Sequence, residues 1–255
     1  MRAPEALLRL TEAYLADIAL APELGAQQES MRYALEGGKR IRAVICLATA
    51  EAAGIDPEAA LPAAAALELV HAFSLVHDDL PALDDDDERR GRASAHIAFG
   101  EGIALLAGDG LLVEAFLLAL TYPTPAPARE LADATLGMIG GQYLDITGAD
   151  ADLEALHRLK TGRLFAASVG LALWVAEVSE PEQAPWRAFG EELGLLFQIV
   201  DDVLDGDGYA TRLGVDEARD LASEVAERAC RALAAIPADT SVLRRIVDGL
   251  AVRTA

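Results

Sequence analysis

The chain has 255 residues, of which 53% are hydrophobic and 5% aromatic, and its formal net charge is −21 at pH 7. Alanine and leucine dominate, while the β-branched and aromatic residues typical of strands are sparse, so the composition predicts an all-α protein. Most of so acidic a surface repels nucleic acid, and a nucleic-acid partner is therefore not expected.

Hydrophobic periodicity and capping signals predict about ten helices in a single domain spanning residues 1–255. The predicted helices cover residues 5–20, 27–36, 39–53, 56–79, 102–120, 128–146, 152–178, 182–204, 215–235 and 240–252. Asp152 is expected to cap the seventh of them. The helix at 102–120 is apolar nearly all round, which predicts a position at the centre of the bundle. Because it contains Asp109 and Glu114, it is expected to be a core helix and not a membrane span. The N-terminal residues lack the apolar run of a secretory signal, so a cytoplasmic protein is expected.

An apolar stretch near residue 200 carries three aspartates, Asp201, Asp202 and Asp205, in the sequence DDVLD. Side chains at positions i and i+4 share one face of a helix, so Asp201 and Asp205 can present oxygens to the same cation. Magnesium prefers hard oxygen ligands and typically binds one or two carboxylates together with substrate phosphates. A solvated acidic helix end is the alternative, but the apolar flanks disfavour it.

A second acidic cluster lies in the segment HDDLPALDDDDERRG, residues 77–91. Asp78 and Asp84 are six residues apart and would point in different directions on a straight helix. Pro81 lacks a backbone donor and clashes with the carbonyl four residues earlier, so the helix should loosen and bring Asp84 back beside Asp78. Arg89 and Arg90 follow, and paired guanidiniums beside metal-binding carboxylates are suited to gripping a diphosphate.

Five segments of the chain resemble, in the same order, those of trans-isoprenyl diphosphate synthases, most closely bacterial farnesyl diphosphate synthases. The segments are GGKRIR (37–42), ELVHAFSLVHDDLPALDDDDERRG (68–91), GGQYLDI (140–146), LHRLKTG (156–162) and FQIVDDVLD (197–205). They contain both lysines of the chain, Lys39 and Lys160. The resemblance implies a single-domain helical bundle around a central elongated cavity, and it implies a homodimer.

The resemblance also implies roles for the residues at matching positions. It implies Mg²⁺ as cofactor, with Asp78, Asp84 and Asp201 as direct ligands and Asp79, Asp202 and Asp205 in support. It assigns the binding of isopentenyl diphosphate to Lys39, Arg42, His71 and Arg90. It places Arg89, Lys160, Thr161 and Gln198 around the allylic diphosphate and the developing cation. If only its apolar neighbours are considered, His71 is interpreted instead as a packed core histidine.

The implied reaction condenses isopentenyl diphosphate with dimethylallyl or geranyl diphosphate and gives mainly farnesyl diphosphate. Phe73 and Ser74 precede Asp78 by five and four residues and so lie about one helical turn deeper, where a growing chain would extend. An aromatic ring at residue 73 is expected to form the floor of that space. The resemblance associates this pattern, together with the insert at residues 81–82, with a fifteen-carbon product.

Other functions are open at this stage. A geranyl or geranylgeranyl diphosphate synthase would differ only in product length. A non-catalytic regulatory homologue would usually lose aspartates from one motif, and both motifs are intact here. A class I terpene cyclase would lack the isopentenyl diphosphate site and the second DDxxD motif.

The segment after Asp205, GDGYATRLGVDEARD, departs from the family pattern. Relatives usually continue with a glycine- and lysine-bearing loop, and no lysine follows Lys160 in this chain. Either the protein truly lacks the loop and has a more open allylic site, or a mobile segment is missing from the sequence. The abrupt join to a helix near Val215 favours the second explanation.

Overall fold

The computed structural model describes residues 1–148 and 153–252, and these residues form an all-α bundle, as predicted. The helices are α1 (Pro4–Ala16), α2 (Gln27–Leu35), α3 (Ile41–Ala52), α4 (Leu61–Asp78), α5 (Ala95–Phe99), α6 (Glu101–Ala119), α7 (Ala126–Thr147), α8 (Leu153–His157), α9 (Arg163–Val175), α10 (Ala184–Asp205), α11 (Gly208–Leu213), α12 (Val215–Ala234) and α13 (Ser241–Ala251). A two-stranded antiparallel hairpin, β1 (Glu88–Arg89) and β2 (Arg92–Ala93), follows α4. The predicted cap at Asp152 lies outside the described residues.

The central helix of the bundle is α4, which packs against α1, α2, α3, α6 and α9. Its long run of small and aliphatic residues, including Ala63–Ala66 and Leu67, is buried because neighbouring helices cover it on several sides. A short 3₁₀ turn precedes α4, and the Asp56 side chain caps that turn by accepting a hydrogen bond from the Glu58 N–H at 3.0 Å. The C-terminal end of this rigid helix carries the first aspartate motif.

The predicted central position of the helix at 102–120 is wrong. In α6 the small residues Ala104, Ala107 and Gly108 are buried, and the helix packs against α4 and α2. Leu111 is also buried, but five other large apolar side chains are exposed, namely Ile103, Leu105, Leu106, Val113 and Leu117. Composition alone misplaces this helix because an exposed apolar surface and a buried core surface can have the same residue types.

Two segments of the described chain are long and apolar enough to cross a membrane by length and composition, Pro57–Asp78 and Glu101–Ala119. The first is 67% buried within the protein, as is typical of a core helix in a soluble bundle. The second is 39% buried, because one face of α6 is exposed. The expectation that no helix spans a membrane remains a prediction.

The predicted helix at 152–178 is interrupted where α8 passes into α9. Residues Arg158–Gly162 form a single π-helical turn, a feature that often occurs at functional sites. Gly141 of α7 lies against the Lys160 backbone so closely that a Cβ at residue 141 would overlap it. The missing side chain therefore allows α7 to support the π-helical turn that carries Lys160 and Thr161.

The join after Asp205 contains a short helix that the sequence pattern did not predict. Gly206 ends α10 in a left-handed conformation, and α11 then packs against both α10 and α12. The full sequence runs through this join without interruption. The expectation of a missing mobile segment is therefore wrong, and the short connection belongs to the protein.

Candidate active site

The first aspartate motif folds back on itself as predicted from Pro81. Helix α4 ends at Asp78, and the Asp84 N–H donates a hydrogen bond to the Asp78 carbonyl at 2.9 Å. The pKa of Asp78 is raised to about 6, mainly by burial and also by the charges of Asp84 and Asp79, although Lys160 acts in the opposite direction. A cation at this position would relieve the cost of a carboxylate that is partly buried among other acids.

Asp79 is almost fully buried and holds Arg89 in place. Arg89 donates to Asp79 Oδ1 through Nε at 2.9 Å and also through Nη2, and it contacts Asp86 Oδ2 at 2.9 Å. The hydrogen bond to Asp79 raises the pKa of Arg89 above its ordinary value. Asp79 therefore fixes the orientation of a guanidinium beside Asp78. Its supporting role in metal binding stays a prediction.

Arg90 occupies the tight turn of the β-hairpin together with Gly91, both with positive φ, as two-residue hairpins require. Its Nη1 donates to the carbonyl oxygens of Glu36 and Gly37 at 3.3 and 3.2 Å. Its guanidinium also lies directly against Gly38. The hairpin therefore places Arg90 against the glycine segment that precedes the exposed Lys39.

Arg42 lies in the interior, where Asp201 of the second aspartate motif acts on it electrostatically. Its guanidinium stacks over the Phe165 ring at 4.5 Å, and its buried Nε has no hydrogen-bond partner among the described residues. Burial lowers the pKa of Arg42 to about 10, with Asp201 raising it and Arg90 lowering it. A buried donor without an acceptor is costly, so the position favours an anionic ligand.

His71 lies close to this group of cations. Burial lowers its pKa well below the ordinary value, and the charges of Arg42, Arg90, Arg40 and Arg89 lower it further. The imidazole is therefore neutral at pH 7 and serves as a hydrogen-bonding group without adding charge.

The three aspartates of the second motif have different surroundings. Asp201 is half-buried and near Arg42, and Asp205 is exposed at the end of α10. Asp202 is buried, and its carboxylate accepts from Gln198 Nε2 at 2.6 Å and from the Tyr209 N–H at 2.8 Å. The Asp202 carboxylate therefore already accepts hydrogen bonds from the protein. Its supporting role in metal binding stays a prediction.

Lys160, Thr161 and Gln198 line one cavity of about 490 Å³ together with Asp202. The Lys160 Nζ lies 2.5 Å from Asp145 Oδ2 of α7. Lys160 also acts electrostatically on Asp78, which joins this cavity to the first motif. The structure thus brings together the predicted allylic residues and the first metal motif.

A match between residues 26–249 and the family model for polyprenyl synthetases decides the relationship. The chain belongs to the polyprenyl synthetase family. This makes it an enzyme of the prenyltransferase class, as the five motifs predicted. The family model leaves the product length open.

Individual relatives of this polyprenyl synthetase have different products. The chain is 41% identical over 214 residues to a geranylgeranyl diphosphate synthase of Cyanophora paradoxa, covering 78% of this chain and 71% of that protein. It is 41% identical over 203 residues to a farnesyl diphosphate synthase of Geobacillus stearothermophilus, covering 73% and 68%. A solved geranyltransferase from Legionella pneumophila is similar with a TM-score of 0.87 and 32% identity, covering 98% of this chain and 96% of that one.

The donor chemistry of the synthetase fits Mg²⁺ bound jointly with substrate. Among residues 1–148 and 153–252, no group of three or more His, Cys, Asp or Glu side chains is arranged to hold a metal ion by itself. Magnesium keeps several waters and shares its shell with substrate phosphates, so it does not need such a group. The residues that would hold it are Asp78 and Asp84 of the first motif and Asp201 of the second.

Sequence reasoning overlooked several residues of the site. Asp145 lies within the GGQYLDI motif and pairs with Lys160, a relation that only the packing of α7 on the π-helical turn reveals. His157 stacks edge-on against Tyr209, with ring centroids 5.3 Å apart. Arg40 is buried and binds Glu12 and Glu68, so it anchors the GGKRIR segment from within. The only sign of this role in the sequence was the position of Arg40 directly before the apolar residues of α3.

Phe73 and Ser74 lie on α4 one turn before Asp78, as predicted. Phe73 is buried, and its ring packs edge-on against His77 with centroids 4.9 Å apart. His77 in turn contacts the Leu105 carbonyl oxygen at 3.0 Å. Ser74 Oγ donates to the His71 carbonyl at 2.9 Å. The Phe73 ring therefore packs against His77, which in turn is hydrogen-bonded to the backbone of α6.

Proposed function

We propose that the protein condenses isopentenyl diphosphate with dimethylallyl or geranyl diphosphate to give mainly farnesyl diphosphate and free diphosphate. The observation that carries the proposal is Arg42, a buried cation with an unsatisfied Nε on which Asp201 of the second motif acts electrostatically. Carboxylates suited to Mg²⁺ together with guanidiniums suited to phosphate oxygens fit two diphosphate substrates.

The isopentenyl diphosphate is held by Lys39, Arg42, Arg90 and His71. Arg42 offers its buried donor, and Arg90 adds a second guanidinium from the hairpin turn. The neutral His71 contributes a hydrogen bond without repelling these cations. This arrangement orients the alkene toward the allylic carbon, which matters because a π bond is a weak nucleophile.

The allylic diphosphate leaves as its carbon–oxygen bond breaks, and negative charge develops on the departing oxygens. Bound Mg²⁺ supplies Lewis-acid stabilisation of that charge. Lys160 and Arg89 add positive charge that Asp145 and Asp79 hold in position before the reaction begins. Gln198 and Thr161 line the same cavity and offer lone pairs to the carbocation without trapping it. The released diphosphate then accepts the proton lost from the new bond's neighbouring carbon.

Product analysis tests the proposed function. The protein is incubated with Mg²⁺, isopentenyl diphosphate and either dimethylallyl or geranyl diphosphate, and the products are identified by mass spectrometry. A fifteen-carbon diphosphate from both primers is expected. A ten- or twenty-carbon main product would reassign the protein as a geranyl or geranylgeranyl diphosphate synthase. Both substrates recovered unchanged would indicate a non-catalytic regulatory homologue.

We propose that Phe73 is the floor that limits the chain to fifteen carbons. The Phe73→Ala variant is expected to shift the main product toward twenty carbons or more, because removing the ring opens space one turn below Asp78. Ser74 lies on the same turn and borders that space. Mass spectrometry of products formed from geranyl diphosphate measures the change. Phe189→Ala is the matched control, since Phe189 is fully buried in α10 away from α4. An unchanged product spectrum in Phe73→Ala would show that Phe73 is not the floor.

We propose that the exposed apolar face of α6 and α7 pairs with a second copy of the chain. The exposed apolar residues along α6 and its C-cap are spaced alternately by three and four positions, with Gly110 at one of the steps. They are Ile103, Leu106, Val113, Leu117 and Leu120. On the adjacent α7 the same steps separate Leu136, Ile139, Tyr143 and Ile146. Such stripes are typical of helices that pack against a partner helix. A homodimer also agrees with the family resemblance, and the proposed location is the cytoplasm.

Light scattering after size-exclusion chromatography tests the dimer. The wild-type protein is expected to have about twice the 26.9 kDa chain mass. Leu106→Glu is expected to give the monomer mass, because it places a charge within the apolar face. Val215→Glu is the control, since Val215 is also exposed but lies on α12. A wild-type monomer mass would rule out the homodimer.

A further inference from the structure

The short helix α11 is fastened firmly over the cavity that contains Lys160. The Asp202 carboxylate accepts from the Tyr209 N–H at 2.8 Å, and it approaches Gly208 so closely that any side chain at residue 208 would overlap it. The buried Tyr209 ring packs edge-on against His157. These contacts tie α11 to α10 and α8.

Arg212 lies one turn after Tyr209 on α11 and lines the same cavity of about 490 Å³ as Lys160, Thr161 and Gln198. It makes no ion pair or side-chain hydrogen bond with any residue that the structure describes. Lys160, the other permanently charged cation of the cavity lining, is already paired with Asp145. Arg212 is therefore the cation of this cavity whose donors remain available.

The charge of the cavity lining makes such a cation necessary for an anionic ligand. Asp145, Asp202 and Asp207 contribute three carboxylates, and His157 has its pKa lowered by burial. Asp145 and Asp202 are satisfied by protein donors, as described above. Against these three carboxylates the lining holds two cations, Lys160 and Arg212, and it keeps a net negative charge that bound Mg²⁺ would offset. Loss of Arg212 would make the lining still more repulsive to a diphosphate.

We propose that Arg212 binds the diphosphate of the allylic substrate, and that the fixed helix α11 presents it there in place of a mobile loop. This inference rests on the proposed function, since it names a further residue for the same reaction. The planar guanidinium can donate two hydrogen bonds to phosphate oxygens. Because α11 is held by contacts of Gly208 and Tyr209 with Asp202, the backbone of Arg212 is positioned at the cavity, and its exposed side chain can reach a bound ligand.

Two variants and one control test the role of Arg212. Arg212→Ala removes the hydrogen-bond donors, and Arg212→Lys keeps the positive charge but loses the planar pair of guanidinium N–H donors. Arg219→Ala is the control, because Arg219 is an exposed arginine of α12 that pairs with Asp216 and does not line the cavity. For Arg212→Ala we expect the KM for geranyl diphosphate to rise about tenfold to a hundredfold, as for the loss of a charge-assisted hydrogen bond, with the KM for isopentenyl diphosphate unchanged. The lysine variant is expected to lie between wild type and alanine.

Calorimetric binding of inorganic diphosphate in the presence of Mg²⁺ provides a readout that does not require turnover. The affinity is expected to fall by a similar factor in Arg212→Ala and to stay at the wild-type level in Arg219→Ala. An equal rise of both KM values, or an affinity in Arg212→Ala within twofold of the control, would overturn the role of Arg212. If wild type binds diphosphate through Arg212 but elongates no substrate, the proposed function fails while the diphosphate site stands.

Discussion

Changing Asp78 to asparagine is expected to lower kcat for prenyl transfer by roughly a thousandfold. Asparagine keeps the shape of the side chain but removes the charge that would hold Mg²⁺ at the end of α4. The remaining acids of the motif cannot replace it, because Asp79 is bound to Arg89 and Asp84 is itself expected to hold the metal together with Asp78. Steady-state kinetics with saturating Mg²⁺ and geranyl diphosphate measures the loss.

The stability of the same variant separates loss of chemistry from loss of fold. The folded state raises the pKa of Asp78 to about 6, so the ionised carboxylate disfavours folding at pH values above its ordinary pKa. A neutral asparagine removes that cost, and the Tm without ligands is expected to equal or exceed that of wild type at pH 7. Asp85→Asn is the matched control, since Asp85 is exposed and asparagine tolerates its positive φ. An inactive Asp85→Asn, or a strongly lowered Tm in Asp78→Asn, would contradict this account.

Replacing Arg42 with methionine is expected to raise the KM for isopentenyl diphosphate about a hundredfold, or about 2.7 kcal/mol. The side chain is buried with an unsatisfied Nε, so most of its binding capacity is directed at a ligand. Lysine at this position retains the positive charge but lacks the planar pair of N–H donors and the stacking on the Phe165 ring. Arg42→Lys is therefore expected to keep only part of the wild-type affinity for isopentenyl diphosphate. The KM for geranyl diphosphate is expected to change little.

Thermal unfolding again provides the control for Arg42. Burial lowers the pKa of this guanidinium to about 10, so at pH 7 its charged form is less favourable in the folded than in the unfolded chain. Methionine fills a similar space without charge, and the Tm of the ligand-free Arg42→Met protein is expected to match or exceed that of wild type. Arg9→Met on the exposed side of α1 is the comparison variant and should change neither KM nor Tm. A lower Tm with an unchanged KM would make Arg42 a structural residue.

Much of the site could be predicted because its chemistry is local in sequence. The break at Pro81 brings Asp84 back to Asp78 through backbone rules that operate within six residues, and the structure confirms it. The pairing of Lys160 with Asp145 depends on how α7 packs against a π-helical turn, and no local pattern contains that information. The same is true of the hydrogen bond from the Tyr209 N–H to Asp202, which forms only because α11 folds back onto α10.

The misplaced helix α6 shows a second limit of sequence reasoning. Its large apolar residues and its small ones give a nearly uniform hydrophobic pattern, so periodicity does not identify the face that packs inside. The structure places Ala104, Ala107 and Gly108 against the bundle and leaves Leu106 and Val113 outside. Close approach of α6 to α4 requires small residues, because the His77 ring lies directly against Gly108.

Diphosphate release, measured with Mg²⁺ and each substrate alone or together, tests the central claim most directly. The account predicts release only when geranyl and isopentenyl diphosphate are both present, with one diphosphate formed for each isopentenyl diphosphate consumed. Release from geranyl diphosphate alone at the same rate would indicate ionisation without condensation, as in a terpene cyclase, and would contradict the proposed function.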